Sequence, residues 1–270
     1  MMRNGLLCIV LAGMLAAAVG EYANAGPRSL AQRRFDVFGY VAPVAGPTLQ
    51  AGYINVTDGV KGLLWTTNGM HGMYADNTYT LITWFNATVF ESYNVLMQMR
   101  LVGGGADGSD FYAYGTSGSD SLLSWRPFGT SYGVAGAFTN LLNGSWHMLA
   151  CVFNDAANYR LYNDGKLAHT IVASLNIASQ PPRQVYLARR PEPDGKTATA
   201  KQGPSFFYTR AMSASELAAI HSQGPTYIHP ADADLMAAYY LSEGSGTNTV
   251  NSVNGLSSGQ ILGGATWGTL

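Results

Sequence analysis

The chain has 270 residues, of which 47% are hydrophobic, 11% aromatic and only 11% charged, with a formal net charge of −1. Disorder needs few aromatics and high net charge, so this balance excludes it and leaves enough apolar residues for a large core. It also excludes a polyanion surface: Arg33-Arg34 and Arg189-Arg190 are isolated pairs, whereas phosphate recognition needs a basic field, so nucleic acid is not an expected partner.

In chain order, Arg3, the apolar run Leu6 to Val19 and Ala23-Asn24-Ala25 form the pattern of a signal peptide over residues 1–25. The run falls short of the about 20 apolar residues that a spanning helix needs. No second long run follows, so the expectation is a secreted or cell-surface protein without a membrane span. Leu7 precedes Cys8, where a lipoprotein would carry a small residue. Cleavage leaves Cys151 alone, so no disulfide can form within the chain. Cys151 lies in Trp146-His147-Met148-Leu149-Ala150-Cys151-Val152-Phe153, apolar on both faces, where a buried inert thiol is expected.

Residues 26–40 read as a polar arm, and residues 41–270 as one domain. Short runs rich in Val, Ile, Tyr, Phe, Trp and Thr predict strands at Gly39–Val44, Thr80–Phe85, Val95–Val102, Phe111–Tyr114, Leu122–Trp125, Trp146–Phe153, Tyr159–Tyr162, Lys166–Val172 and Val185–Ala188. Gly-, Asn- and Asp-rich separators divide them, and Asn163-Asp164-Gly165 predicts a hairpin turn. Ser213-Ala214-Ser215-Glu216 has the spacing of a capping box, followed by Leu217, Ile220 and His221, with Gly224-Pro225 as a stop. The spacing predicts one short helix near residues 213–223. Asn55, Asn86 and Asn143 each open a glycosylation sequon.

Several pieces, in order, resemble the laminin-G-like, concanavalin A-like lectin/glucanase family. They are Val60-Lys61-Gly62-Leu63-Leu64-Trp65, Thr80-Leu81-Ile82-Thr83-Trp84-Phe85, the Gly144–Phe153 run with the Tyr159–Leu167 hairpin, and Phe206-Phe207-Tyr208-Thr209-Arg210-Ala211-Met212-Ser213-Ala214-Ser215-Glu216-Leu217. The resemblance implies an all-β fold, a two-sheet antiparallel jelly-roll sandwich of the concanavalin A-like kind. The tail departs from the family order. Leu235–Gly246 and Gly263–Trp267 resemble the segment that normally opens such a domain. A piece this short cannot bury a core alone, so residues 235–270 are expected to supply strands to the same sandwich.

Glycoside hydrolysis needs two carboxyls flanking the scissile bond. After cleavage the chain carries only Glu91, Glu192, Glu216 and Glu243, and none falls in the E-x-D-x-x-E strand of catalytic relatives. There is no G-x-S-x-G and no metal-spaced His pair. The expectation is a non-catalytic module that binds a glycan or an extracellular protein. The alternatives are a structural or adhesive surface protein without a small-ligand site and, more remotely, a glycoside hydrolase whose two acids come from distant segments. Asp107 and Asp110, in Gly103-Gly104-Gly105-Ala106-Asp107-Gly108-Ser109-Asp110, are the best local oxygen cluster for Ca2+. Where relatives often carry Asp, residue 251 is Asn, which weakens a metal site there. Tyr112, Tyr114 and Trp125 flank the glycine-rich loops and are the candidate sugar-stacking rings. Trp84, Trp146 and Trp267, within the strand motifs, are assigned to the core.

Overall fold

The apolar runs pair as antiparallel strands into two sheets, because a strand that buries one face or both must meet another layer. In chain order the strands are β1 (Gly52–Val56), β2 (Leu63–Trp65), β3 (Tyr79–Ala87), β4 (Asn94–Leu101), β5 (Ser109–Gly115), β6 (Leu122–Trp125), β7 (Tyr132–Gly133), β8 (Trp146–Asn154), β9 (Asn158–Asn163), β10 (Lys166–Val172), β11 (Arg183–Leu187), β12 (Ala200–Tyr208), β13 (Leu235–Tyr239), β14 (Asn248–Val250), β15 (Ser257–Ile261) and β16 (Thr266–Thr269). The helix α1 (Ala214–Gln223) lies between β12 and β13.

The computed structural model describes residues 50–56, 63–65, 78–89, 94–101, 109–115, 122–125, 132–133, 138–154, 158–172, 183–187, 200–253, 255, 257–261 and 265–270, with β2, β4 to β7 and β11 described by their backbone. Residues 45–270 make up one compact unit. The expected signal peptide, the polar arm and the Gly39–Val44 strand lie outside the described residues.

The first sheet runs β10-β9-β8-β3-β12-β1-β16, and β13 also pairs with β12. The second runs β14-β15-β2-β11-β4-β5-β6-β7. β12 is long enough to hold two partners along one edge: Ile54 to Val56 of β1 face Ala200 to Gln202, while β13 faces Ser205 to Tyr208. β1 and β13 meet end to end, where the Gly52 N–H donates to the Tyr240 carbonyl at 2.8 Å. β16 pairs with β1, and β15 pairs with β2. Strands from the last thirty-odd residues therefore stand in both sheets.

β3 and β8 are buried along nearly their whole length, on both faces. Their inward residues, including Leu81, Phe85, Leu149, Cys151 and Phe153, join Ile54, Phe207, Tyr239 and Ile261 in the core of the sandwich. Their outward residues, Ile82, Trp84, Met148, Ala150 and Val152, form a second apolar cluster with Phe206, Tyr208, Leu217 and Ile220. α1 roofs that part of the outer face. Ser213 caps it with the full reciprocal box to Glu216, and Gly224 ends it at φ 79°.

The hairpin of β9 and β10 turns at Asp164 and Gly165, both with positive φ, as a two-residue primed turn requires. A Cβ on Gly165 would stand 2.8 Å from the Ala218 Cα, so the turn packs directly on α1. Asp164 ties this region together. Its carboxylate accepts from His147 Nδ1 and the Met148 N–H, both at 2.9 Å, and lies 3.5 Å from His221 Nε2. Burial opposes its charge, but those hydrogen bonds and the two imidazoles outweigh burial and hold its pKa below the ordinary value. β12 carries a bulge between Gln202 and Ser205. Pro204 has no N–H to give there, and the Gln202 amide donates instead to the Trp84 carbonyl at 3.0 Å.

Candidate functional site

α1 covers the outer face of the first sheet only in part. Over β1, β16 and the start of β12, strand alternation sends Ile54 and Val56 inward, so Tyr53 and Asn55 stand outward. Lys201 follows the same rule opposite Asn55. The registers extend this into one cross-strand row, Trp146–Asn86–Lys201–Asn55–Thr266, contributed by β8, β3, β12, β1 and β16 in turn. Lys201 and Thr266 are exposed, and Trp146, Asn86 and Asn55 are half-buried.

Two aromatic rings give this row a floor. Trp146 and Tyr53 meet edge to face, with centroids 5.8 Å apart. Each lies on bare backbone. A Cβ on Gly203 would stand 2.8 Å from the Trp146 ring, and one on Gly268 would stand 2.2 Å from the Tyr53 ring. Glycine at those two positions lets each ring approach the backbone of a neighbouring strand. The Lys201 ammonium stands over the Tyr53 ring, 5.1 Å from its centroid. The Asn55 amide donates to Thr266 Oγ1 at 3.1 Å, and the Asn86 amide donates to the Gly144 carbonyl at 2.5 Å. One N–H of each amide is fixed in this way. The arrangement offers the Trp146 ring, and the Tyr53 ring beneath the Lys201 ammonium, beside two amides and a hydroxyl.

The residues singled out from sequence fall elsewhere. Tyr112 and Tyr114 lie two apart in β5 and share a face of the second sheet, while Trp125 is registered with Ala113, on the opposite face. Asp110 is in β5, and Asp107 lies outside the described residues. Among the described residues no three His, Cys, Asp or Glu side chains are grouped to hold a metal ion. Asn251 is fully buried and serves as a backbone clamp. Its Oδ1 accepts from the N–H groups of Ala238 at 3.0 Å and Val253 at 3.1 Å, and its Nδ2 donates to the Met236 carbonyl at 3.2 Å.

Trp84 is 2% exposed, as a core residue should be. Trp146, assigned to the core from its motif, is instead only partly buried, packed against the outer apolar cluster. Trp267 is half-buried against the inner core, and its Nε1–H donates to the Gly246 carbonyl at 3.0 Å. Cys151 is a free, fully buried thiol whose pKa burial pushes well up. Glu216 is held by the Ser213 cap and by Arg210 at 2.7 Å, and Glu243 accepts from Thr249 and the Val250 N–H. Glu91 and Glu192 lie outside the described residues. The sequence did carry a signal for the row: Gly-Tyr-Ile-Asn-Val alternates over residues 52–56, with the ring and amide on the polar phase.

No curated protein matches the chain. Among solved structures, a Bacteroides ovatus protein whose carbohydrate binding is itself inferred aligns with a TM-score of 0.52 at 16% identity, covering 83% of this chain and 61% of that one. The chain thus spans less than two thirds of that relative's length. A native heptameric SAP-like pentraxin from Limulus polyphemus aligns with a TM-score of 0.55 at 10% identity, covering 83% of this chain and 97% of its own. At these identities the likeness speaks for the fold, a two-sheet jelly-roll sandwich. Residues 56–218, more than half of the 270-residue chain, match the family model of the laminin G type, and the chain belongs to the concanavalin A-like lectin/glucanases superfamily.

Proposed function

We propose that this chain is a secreted, non-catalytic glycan-binding module, and that the sugar stacks on Trp146 and Tyr53. The observation that carries the reading is the cross-strand row, which sets two flat rings beside Asn55, Asn86, Lys201 and Thr266 on the open part of an otherwise roofed sheet face. A pyranose has an apolar C–H face that packs on an aromatic ring, and a rim of hydroxyls that pair with amides and a cation. The two described glutamates are each engaged in the fold, Glu216 in a helix cap and Glu243 on the Thr249–Val250 backbone. Calcium at Asp107 and Asp110 is a companion proposal, as is sugar stacking on the second sheet, at Tyr112 and Tyr114 on one face or at Trp125 on the other.

The test is binding of residues 26–270 to a panel of neutral and acidic glycans, repeated with Trp146→Ala and Tyr53→Ala. Both variants should lose at least tenfold in affinity while melting as cooperative folded proteins. Full binding by both variants would overturn the assignment of the sugar to this face. A second reading, adhesion through a protein partner, draws on β10. That strand ends the described order of the first sheet and exposes Leu167 (54%) and Val172 (74%), as a strand-adding interface would. Concentration-dependent self-association abolished by Val172→Lys would support it.

A further inference from the structure

The cross-strand row carries a charge that stacking alone does not use. Lys201 stands at its centre, registered with Asn86 of β3 on one side and with Asn55 of β1 on the other. Neighbouring strands lie about 4.8 Å apart, so an ammonium and two amides stand side by side on three adjacent strands. Lys201 is exposed.

No carboxylate pairs with that ammonium among the described residues. Asp164 is held by His147 and the Met148 N–H, Glu216, Asp232 and Asp234 lie around Arg210, and Glu243 accepts from Thr249 and the Val250 N–H. Asp110 belongs to the second sheet. Lys201 instead lies over the Tyr53 ring, 5.1 Å from its centroid. A ring face is a weak partner for an exposed cation and leaves it free to take an anion.

The flanking groups add donors. An asparagine amide has two N–H hydrogens. Asn55 commits one to Thr266 Oγ1 and Asn86 one to the Gly144 carbonyl, which leaves one on each. Thr266 Oγ1 accepts from Asn55 and keeps its own hydrogen to donate. One cation and three neutral donors, with no anion among the described residues beside them, suit a negatively charged ligand. A neutral sugar, whose hydroxyls donate as well as accept, needs no such charge.

We infer that the glycan on this face is acidic, and that its carboxylate or sulfate lies against the Lys201 ammonium, between Asn86 and Asn55. The inference rests on the stacking reading above. The Trp146 ring stands 5.8 Å from the Tyr53 centroid and the Lys201 ammonium 5.1 Å from it. A sugar on Trp146 therefore brings a substituent of its own ring, or of the next, within reach of the ammonium. Lysine is a compact point charge and takes either anion, without the planar fork by which arginine selects a geometry.

The experiment measures, by calorimetry, the affinity of residues 26–270 for two matched pairs. One is an oligogalacturonate and its methyl ester, and the other is 3′-sulfolactose and lactose. An acidic member should bind about fivefold or more tighter than its neutral counterpart. That margin should shrink as salt rises from about 20 to about 200 mM, because salt screens an exposed pair. The pair that shows the margin tells carboxylate from sulfate. Lys201→Gln, which keeps a donor without the charge, should erase the margin at an unchanged melting temperature, and Lys201→Arg should restore most of it. Neutral members that bind as tightly as acidic ones, or a margin that survives Lys201→Gln, would overturn the inference and leave stacking on Trp146 standing. So would a neutral glycan whose binding is lost in Trp146→Ala when no acidic member binds. Failure of every glycan, neutral and acidic, would overturn the stacking reading as well.

Discussion

Lowering the pH should weaken the fold through His229 before any carboxylate is reached. In the unfolded chain its imidazole protonates near 6.5, whereas in the fold, packed between Phe206, Tyr208 and Tyr227, it protonates only at about 4. Between those values the unfolded state takes up a proton that the folded state refuses, so stability falls as pH drops from about 6.5 to 4 and levels off below. A difference of 2.5 units, at 1.36 kcal/mol each, gives about 3 kcal/mol as the loss this one group causes. The assay is urea unfolding of the wild type and of His229→Gln at pH 7.5, 6, 5 and 4. The glutamine carbonyl can still accept from Tyr208 but cannot titrate. The wild type should lose about 3 kcal/mol more than the variant across that range, with most of the difference between pH 6 and pH 4. Parallel profiles for the two proteins would refute the claim that burial keeps this ring neutral.

Asp164 contributes in a lower window, because its pKa is depressed by His147, Met148 and His221. Its contribution is present above about pH 4 and is lost as pH falls through its folded-state pKa. Asp164→Asn should cost about 1–2 kcal/mol at pH 7, with the two stabilities converging as pH falls through the folded-state pKa of Asp164. Gly268→Ala should push the Tyr53 ring off the sheet and lower glycan affinity severalfold, with the melting temperature changed by only a few degrees. Millimolar calcium should raise the melting temperature of residues 26–270 over that in chelator, and Asp107→Asn with Asp110→Asn should remove the increment. An increment that survives both substitutions would place the metal elsewhere.

Where sequence pattern and physical cause were local, the fold was readable in advance. The Trp146–Phe153 run, the Asn163-Asp164-Gly165 turn and the Ser213–Glu216 box form the strand, hairpin and capped helix that their residues dictate. β12 was harder to see, because Gly203-Pro204 interrupts it and reads as a turn, whereas the structure absorbs both residues in a bulge repaired by Gln202. The candidate face was not legible. Trp146 and Tyr53 lie 93 positions apart in sequence, and only the register through β3, β12 and β1 brings them into contact. The Trp146 motif is strand-like and apolar and reads as core, and nothing local shows that this ring is left partly exposed. Tyr112, Tyr114 and Trp125 drew notice as rings beside glycine-rich loops, yet pairing of Trp125 with Ala113 sets it on the face opposite the two tyrosines.

The claim that a sugar sits on the Trp146 row is tested most directly by a nitrogen–proton NMR titration of residues 26–270 with a glycan that binds. The account predicts shifts confined to the Trp146 indole N–H, the Asn55 and Asn86 side-chain amides and the Gly203 and Gly268 backbone N–H groups. Shifts that leave these signals in place and appear instead at β5 and β6 would contradict it, and would move the site to the second sheet.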